Sequence, residues 1–205
     1  MSSSSIKSKP KRKRLNAVAR RKQLIDLAVS ITAQKGLGQA RHADIAELAG
    51  VAVSTIFFYF PSVEILNNAV IDEVENVVNS VCLREITVND QESELSTLLD
   101  LYYNTFKDLI RNNKDFIIIF LEWGSSVNAA AWPRYLVFRD KHIAFTKETL
   151  IKANDKGELK EALDHDAIAI MISSLLRTMF QMSFFADSNA AIKEINQSLR
   201  NHIFK

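Results

Sequence analysis

The sequence predicts an all-α fold of about nine helices: a three-helix helix-turn-helix unit at the N-terminal end and a larger helical body behind it. Three observations carry this. Only 5 Gly and 3 Pro occur in 205 residues, too few turn-formers for a protein built of short strands. Apolar residues recur every three or four positions along most of the chain. Residues 42–60, HADIAELAGVAVSTIFFYF, set Ala46 and Gly50 four apart among Ile45, Ala49, Val51 and Ile56. A small residue lets two helices cross closely, and a glycine just past the first helix can take the left-handed backbone of a sharp turn.

The elements follow in order. Residues 1–10, MSSSSIKSKP, are polar and of low complexity, and are expected to be disordered. A first helix is expected over about Asn16–Lys35, with Leu24, Leu27, Ala28 and Ile31 on one face and Gly36 as its stop. The second covers about Ala43–Ala49, with Asp44 and Glu47 suited to its early turns. The turn is Gly50–Ala52, and the recognition helix runs over Val53–Tyr59 until Pro61 pushes Phe60 out of helical geometry. Ser62 caps a long helix whose stripe (Ile65, Leu66, Ala69, Val70, Val74, Val77, Val78, Val81) joins the two parts. A polar connection at Ile86–Ser93 is followed by helices at about Glu94–Arg111, Lys114–Ser125, Asn128–Asn154 (with Trp132–Pro133 as a point of interruption), Asp164–Ala186 and Ser188–Ile203. The expected organisation is a basic arm at 1–14, a helix-turn-helix domain at 15–61 and a helical regulatory and dimerisation domain at 62–205.

Charge gives an independent reading. The whole chain is nearly balanced, at +2, but residues 1–60 hold 11 basic and 3 acidic residues, and residues 61–205 hold 15 basic and 21 acidic. A polyphosphate partner attracts the first part and repels the second, so the chain is oriented toward double-stranded DNA. The run KPKRKR at 9–14 is by itself as compatible with a solvated tail; just upstream of a helix-turn-helix it reads as a DNA-gripping arm. The single cysteine, Cys82, excludes an internal disulfide framework and fits a reducing compartment. No stretch reaches the roughly 20 apolar residues of a membrane span, and no apolar signal core follows the basic run. A cytoplasmic, nucleoid-associated location is expected.

Enzymatic chemistry finds no support. His42, His142, His165 and His202 are not spaced for metal binding with each other or with Cys82, there is no glycine-rich phosphate loop, and no cofactor is expected. Asp164-His165-Asp166 resembles a ligand cluster, but consecutive helical residues diverge, so a helix cap is the better reading. Glu122, beside Trp123 in an apolar run, needs a partner and is read as structural. Two further classes share some of these features. A DNA-coating protein without sequence preference would have the arm, and a helical small-molecule carrier would have the apolar body but would not need the basic head.

Residues 17–66 resemble the N-terminal domain of the TetR family of bacterial transcription regulators, through DIAELAGV at 44–51, TIFFYFPS at 55–62, and Glu64 and Leu66 beyond. Further runs, GLGQARHADIAE at 36–47, FLEWGSS at 120–126, Trp132–Pro133 and KANDKGEL at 152–159, resemble the LuxR/HapR/SmcR branch, the quorum-sensing master regulators of vibrios. The resemblance implies a repressor or activator that binds pseudo-palindromic operators as a homodimer. It implies contacts from Ser54 and Phe58 toward bases, from Thr55 and Tyr59 toward phosphates, from Arg41 and His42 toward the DNA backbone, and from Lys11, Arg12, Lys13 and Arg14 in the minor groove or on phosphates. Hydroxyls and guanidinium groups suit these roles. Phe58 departs from the branch, which usually carries Asn there: Asn can hydrogen-bond an adenine edge, whereas Phe offers apolar contact to a thymine methyl. Ala52 departs too, replacing a capping Ser, a loss of about 1 kcal/mol.

The resemblance also implies an apolar pocket between the body helices, matched here by Val78, Cys82, Phe106, Phe120, Ile143, Ile172 and Leu176, for which plain core packing is the rival reading. Such a cavity would suit a small apolar ligand as partner; the resemblance does not itself imply a physiological one. The stripe Ile168, Ile172, Leu175, Leu176, Met179, Phe180, Phe184 and Phe185 carries more apolar surface than a monomeric helix face needs, which predicts dimerisation through the C-terminal helices.

Overall fold

The computed structural model describes residues 16–82, 93–161, 163–185 and 188–205. Among these are nine helices: α1 (Ala17–Lys35), α2 (His42–Ala49), α3 (Val53–Tyr59), α4 (Val63–Cys82), α5 (Glu94–Asn112), α6 (Lys114–Trp123), α7 (Trp132–Asp155), α8 (His165–Met182) and α9 (Ser188–Ile203). The fold class is as expected, and the caps are those the sequence offers. The Asn16 side chain accepts from Ala19 N–H at 2.8 Å, Ser62 Oγ from Ile65 N–H at 3.1 Å, and Asp164 Oδ1 from Asp166 and Ala167 at 3.0 and 3.1 Å. Each satisfies an amide that the first helical turn leaves without a partner.

Three boundaries differ from expectation. Pro133 does not interrupt a helix begun at Asn128; it stands in the first turn of α7, where proline's missing N–H costs nothing, and 127–131 form turns. α6 stops at Trp123, where Gly124 packs tightly against side chains of α7 and α8: a Cβ there would collide with Arg177 Nη1 and stand 2.6 Å from the Tyr135 ring. α8 ends at Met182, with Phe184 and Phe185 in the turn after it.

Two main apolar clusters organise the molecule. The head cluster takes Leu24, Ala28 and Ile31 from α1, Ile45, Ala46 and Ala49 from α2, Ile56 and Phe60 from α3 and its end, and Leu66, Ala69, Val70 and Val74 from α4, with Ile119 of α6 inserted. The body cluster gathers Leu95, Leu98 and Tyr102 of α5, Trp123, Tyr135, Phe138 and Leu150 of α6 and α7, and Ile168, Ile172 and Leu199 of α8 and α9. α4 serves both, because Ile71 and Val78 face the body while Leu66 and Val74 face the head. Arg134 of α7 grips this shared helix through Asp72 and Glu75, at 2.7 and 2.5 Å.

The monomer itself buries much of the C-terminal stripe read as excess. Ile168, Ile172, Met179 and Phe180 are core residues, and Leu175 and Leu176 are half-buried against it. The large apolar residues that remain exposed on and just after α8 are Ile170, Phe184 and Phe185.

Candidate nucleic-acid interface

Helices α2 and α3 meet through Gly50, which takes φ 62° and ψ 43° and brings Val51 N–H to the Ala46 carbonyl at 3.0 Å. A residue with a Cβ is strained in this left-handed conformation, so the glycine makes the turn sharp. Ala46 is buried at the crossing, as its small side chain requires.

The recognition helix is held from below. Ile56 and Phe60 are fully buried, each worth about 1.5–3 kcal/mol of apolar burial. With only seven residues and no side-chain cap from Ala52, α3 depends on this anchorage, since so short a helix does not persist alone. Its outer face presents Ser54, Phe57 and Phe58, with Thr55 and Tyr59 half-buried at the flanks. Phe58 is 79% exposed, and only the edge of Tyr59 lies against it, ring centroids 5.2 Å apart. It is therefore no part of the head core.

Arg41, just before α2, is exposed, and its guanidinium donates to the Gly38 carbonyl at 2.7 Å. Its backbone N–H is bonded to Asp44 Oδ2 at 3.0 Å. The Lys35 ammonium, 2.8 Å from Asp44, and this amide hold the Asp44 carboxyl below the usual carboxylate range. Lys11, Arg12, Lys13 and Arg14 lie outside the described residues.

The expectation for His42 needs correcting. Its side chain is not on the surface but buried, with Nε2 2.6 Å from the Phe60 carbonyl and its ring stacked on Phe57. A carbonyl only accepts, so Nε2 carries the hydrogen. The imidazole is engaged inside the head and cannot extend to a phosphate from this position. The sequence reading missed this clamp and the exposed ring of Phe57. The pairing of His42 with Phe60 spans 18 residues and has no local signature.

The body cavity also differs from expectation. Its lining takes Val78, Phe120 and Leu176 from the residues named above, and adds Tyr102, Tyr135, Phe138, His142, Thr146, Arg177 and Phe180. Its volume is about 50 Å³, room for little more than water and far below the roughly 300 Å³ of a typical ligand site. Phe120 explains this: its ring stands between Phe138 and Phe180, with centroids 5.9 and 5.7 Å away. Ile172 is removed from this lining; it borders a separate void of about 20 Å³ beside Leu99 and Leu199. Ile143 faces a shallow outer depression instead. The side chains of Cys82 and Phe106 lie outside the described residues. The added residues Tyr135, Phe138, His142 and Thr146 follow a three-and-four spacing on α7, the one sequence signal that could have found them.

His142 bonds Asn79 Oδ1 at 2.8 Å, joining α7 to α4, and burial aided by the charge of Lys141 pushes its pKa down to about 4. Arg177 reaches from α8 to the end of α6, donating to the Leu121 carbonyl at 2.8 Å and to Ser125 Oγ at 2.5 Å. Among the described residues no group of three or more His, Cys, Asp or Glu side chains could hold a metal ion, and no helix is long and apolar enough to cross a membrane.

Residues 24–70 match the family model described as bacterial regulatory proteins, tetR family. That span includes the first part of α4, in agreement with the head core. Along nearly its whole length the chain is similar to the HTH-type transcriptional regulator LuxR of Vibrio harveyi, 26% identical over 191 residues that cover 93% of this chain and 91% of the relative. In fold it is similar to a transcriptional regulator of Saccharomonospora viridis solved with choline, TM-score 0.71 at 20% identity, covering 92% and 99% of the two chains. It is likewise similar to a TetR regulator of Chloroflexus aurantiacus, TM-score 0.73 at 13% identity, covering 91% and 97%. These relatives are regulators of transcription rather than enzymes; residues 24–70 of this chain carry the N-terminal domain of the tetR family, on a helical body that shares the fold of the two solved regulators.

Proposed function

We propose that this regulator binds pseudo-palindromic operator DNA as a homodimer and, like the LuxR to which it is similar, serves a quorum-sensing programme. One observation carries the reading: a short helix anchored by Ile56 and Phe60 turns Ser54, Phe57 and Phe58 outward, and Arg41, just before α2, is exposed as well. A helix so presented fits a major groove, with hydroxyls for phosphates and aromatic rings for thymine methyls. Under this reading Ser54 and Phe58 face bases, Thr55 and Tyr59 face phosphates, and Lys11–Arg14 add an electrostatic arm. The head at 15–61 reads DNA and the body from 62 onward pairs the subunits. Ile170, Phe184 and Phe185 supply apolar area for that pairing. A small apolar ligand would need the cavity to widen, for example by displacement of the Phe120 ring.

Selection of bound fragments from genomic DNA, with light scattering on the same protein, tests this. The expected result is a dimer that enriches an inverted repeat and prefers it strongly over random duplex. A monomer, or equal affinity for selected and random DNA, overturns it.

A further inference from the structure

We infer that Glu122 is a positioning residue for DNA recognition: its carboxylate fixes the angle at which the head sits on the body, and through that angle the half-site spacing the dimer accepts. Glu122 lies on α6, in the body, yet its Oε1 accepts the backbone N–H of Leu37 at 2.8 Å, in the turn between α1 and α2 of the head. The approach is close. A Cβ on the preceding Gly36 would stand 3.2 Å from the same oxygen. The carboxylate is thus seated against the head's backbone rather than against a flexible side chain.

The surroundings let this bond act on the angle, beside the ion pairs that α4 makes with Lys22 of α1 and Arg134 of α7. Leu37 packs against both the head and the body clusters, and Ile119, one turn before Glu122, is buried in the head core. Apolar contacts of this kind hold two parts together but are non-directional, so they tolerate rolling of one on the other. A charge-assisted hydrogen bond weakens steeply when misaligned. The helix carrying Glu122 cannot simply follow the head, because Arg177 of α8 ties down the adjacent Leu121 carbonyl at 2.8 Å. Among the described residues, the bond from Glu122 to Leu37 is therefore a directional link between a clamped body helix and the α1–α2 turn that leads into the reading helices.

The spacing consequence rests on the two-headed operator reading, so the test separates the two. In a chain with Cys82→Ser, spin labels at Leu48→Cys and Val137→Cys, exposed positions on the head and on α7, report the head–body distance within one subunit when diluted with unlabelled chain. Glu122→Ala should broaden that distance distribution, and Glu122→Gln, which keeps an acceptor oxygen, should restore it. On operators whose half-sites are moved apart by one base pair, Glu122→Ala should lose about two- to tenfold of the discrimination against the wrong spacing, the equilibrium value of one hydrogen bond. Glu122→Gln should retain it. An unchanged distance distribution in Glu122→Ala, or a lower melting temperature with an unchanged spacing profile, overturns the inference. Broadened distances in a protein that shows no preference for paired half-sites would leave the angular role standing and overturn the two-headed reading instead.

Discussion

The rings of His42 and Phe57 are stacked, their centroids 4.1 Å apart and their planes 8° from parallel. The same imidazole donates to the carbonyl of Phe60, the residue that ends α3. One side chain at the start of α2 therefore holds both the outer face and the last turn of the recognition helix. A carbonyl at a helix end has no partner within the helix, and here His42 supplies it.

Replacing His42 with Ala leaves that carbonyl without its donor and Phe57 without its stacking partner. The expected loss is about 1–3 kcal/mol of stability, read as a lower denaturation midpoint in urea. DNA affinity should fall for all sequences alike, since the change loosens α3 without altering what it displays. A variant of unchanged stability and selectively reduced affinity would show that His42 acts on DNA directly.

Phe58→Asn should behave in the opposite way. The ring is 79% exposed, so its removal opens no cavity and the melting temperature should stay within about 1 °C, as for surface changes that disturb no packing. The preferred bases should change, because Asn can make the paired hydrogen bonds to adenine that Phe cannot, a discrimination of about 1–3 kcal/mol. Site selection with both proteins checks this; identical preferences would remove Phe58 from the reading surface.

Replacing Lys11, Arg12, Lys13 and Arg14 with Ala should weaken binding to every duplex and flatten the dependence of log affinity on log salt, by nearly one for each phosphate that the arm no longer neutralises. Helicity and oligomeric state should not change. An unchanged slope would make the run a solvated tail.

How much of this the sequence disclosed depends on the range of each interaction. Ser62 and Asp164 cap helices through bonds spanning two or three residues, so residue type and spacing suffice to find them; Asn16, expected inside α1, caps it by the same local geometry. Gly50 and Val53–Tyr59 are equally local. The clamp from His42 to Phe60, the link from Glu122 to Leu37 and the cavity lining from α4 to α8 depend on which helices pack together, and periodicity does not say which face meets which neighbour. The C-terminal stripe shows the same limit. Its composition identifies an apolar face, but whether the partner is the chain's own core or a second copy is decided by tertiary packing, which here claims Ile168, Ile172, Met179 and Phe180 for the monomer.

His142 provides a test of that packing through pH. Its ring is held neutral between α7 and α4, with a pKa of about 4 against an ordinary value of 6.5. Above pH 6.5 the imidazole is neutral in both the folded and the unfolded chain and contributes no pH dependence. As the pH falls below 6.5 the unfolded chain takes up a proton that the folded chain refuses, so stability drops until the folded pKa is reached near 4. The loss over that window is at most about 3 kcal/mol. The other ionisable groups in the cavity lining are Arg139 and Arg177, together with the phenols of Tyr102 and Tyr135. His142→Gln removes the titration while keeping an N–H that can donate to Asn79. Urea unfolding of both proteins between about pH 7.5 and 5 should show the wild type losing ground steadily to the variant as the pH is lowered. Carboxylate titration is common to the two and cancels in the comparison. Curves that stay parallel would mean that the folded protein accepts the proton as readily as the unfolded chain, and that the ring is not confined between the two helices.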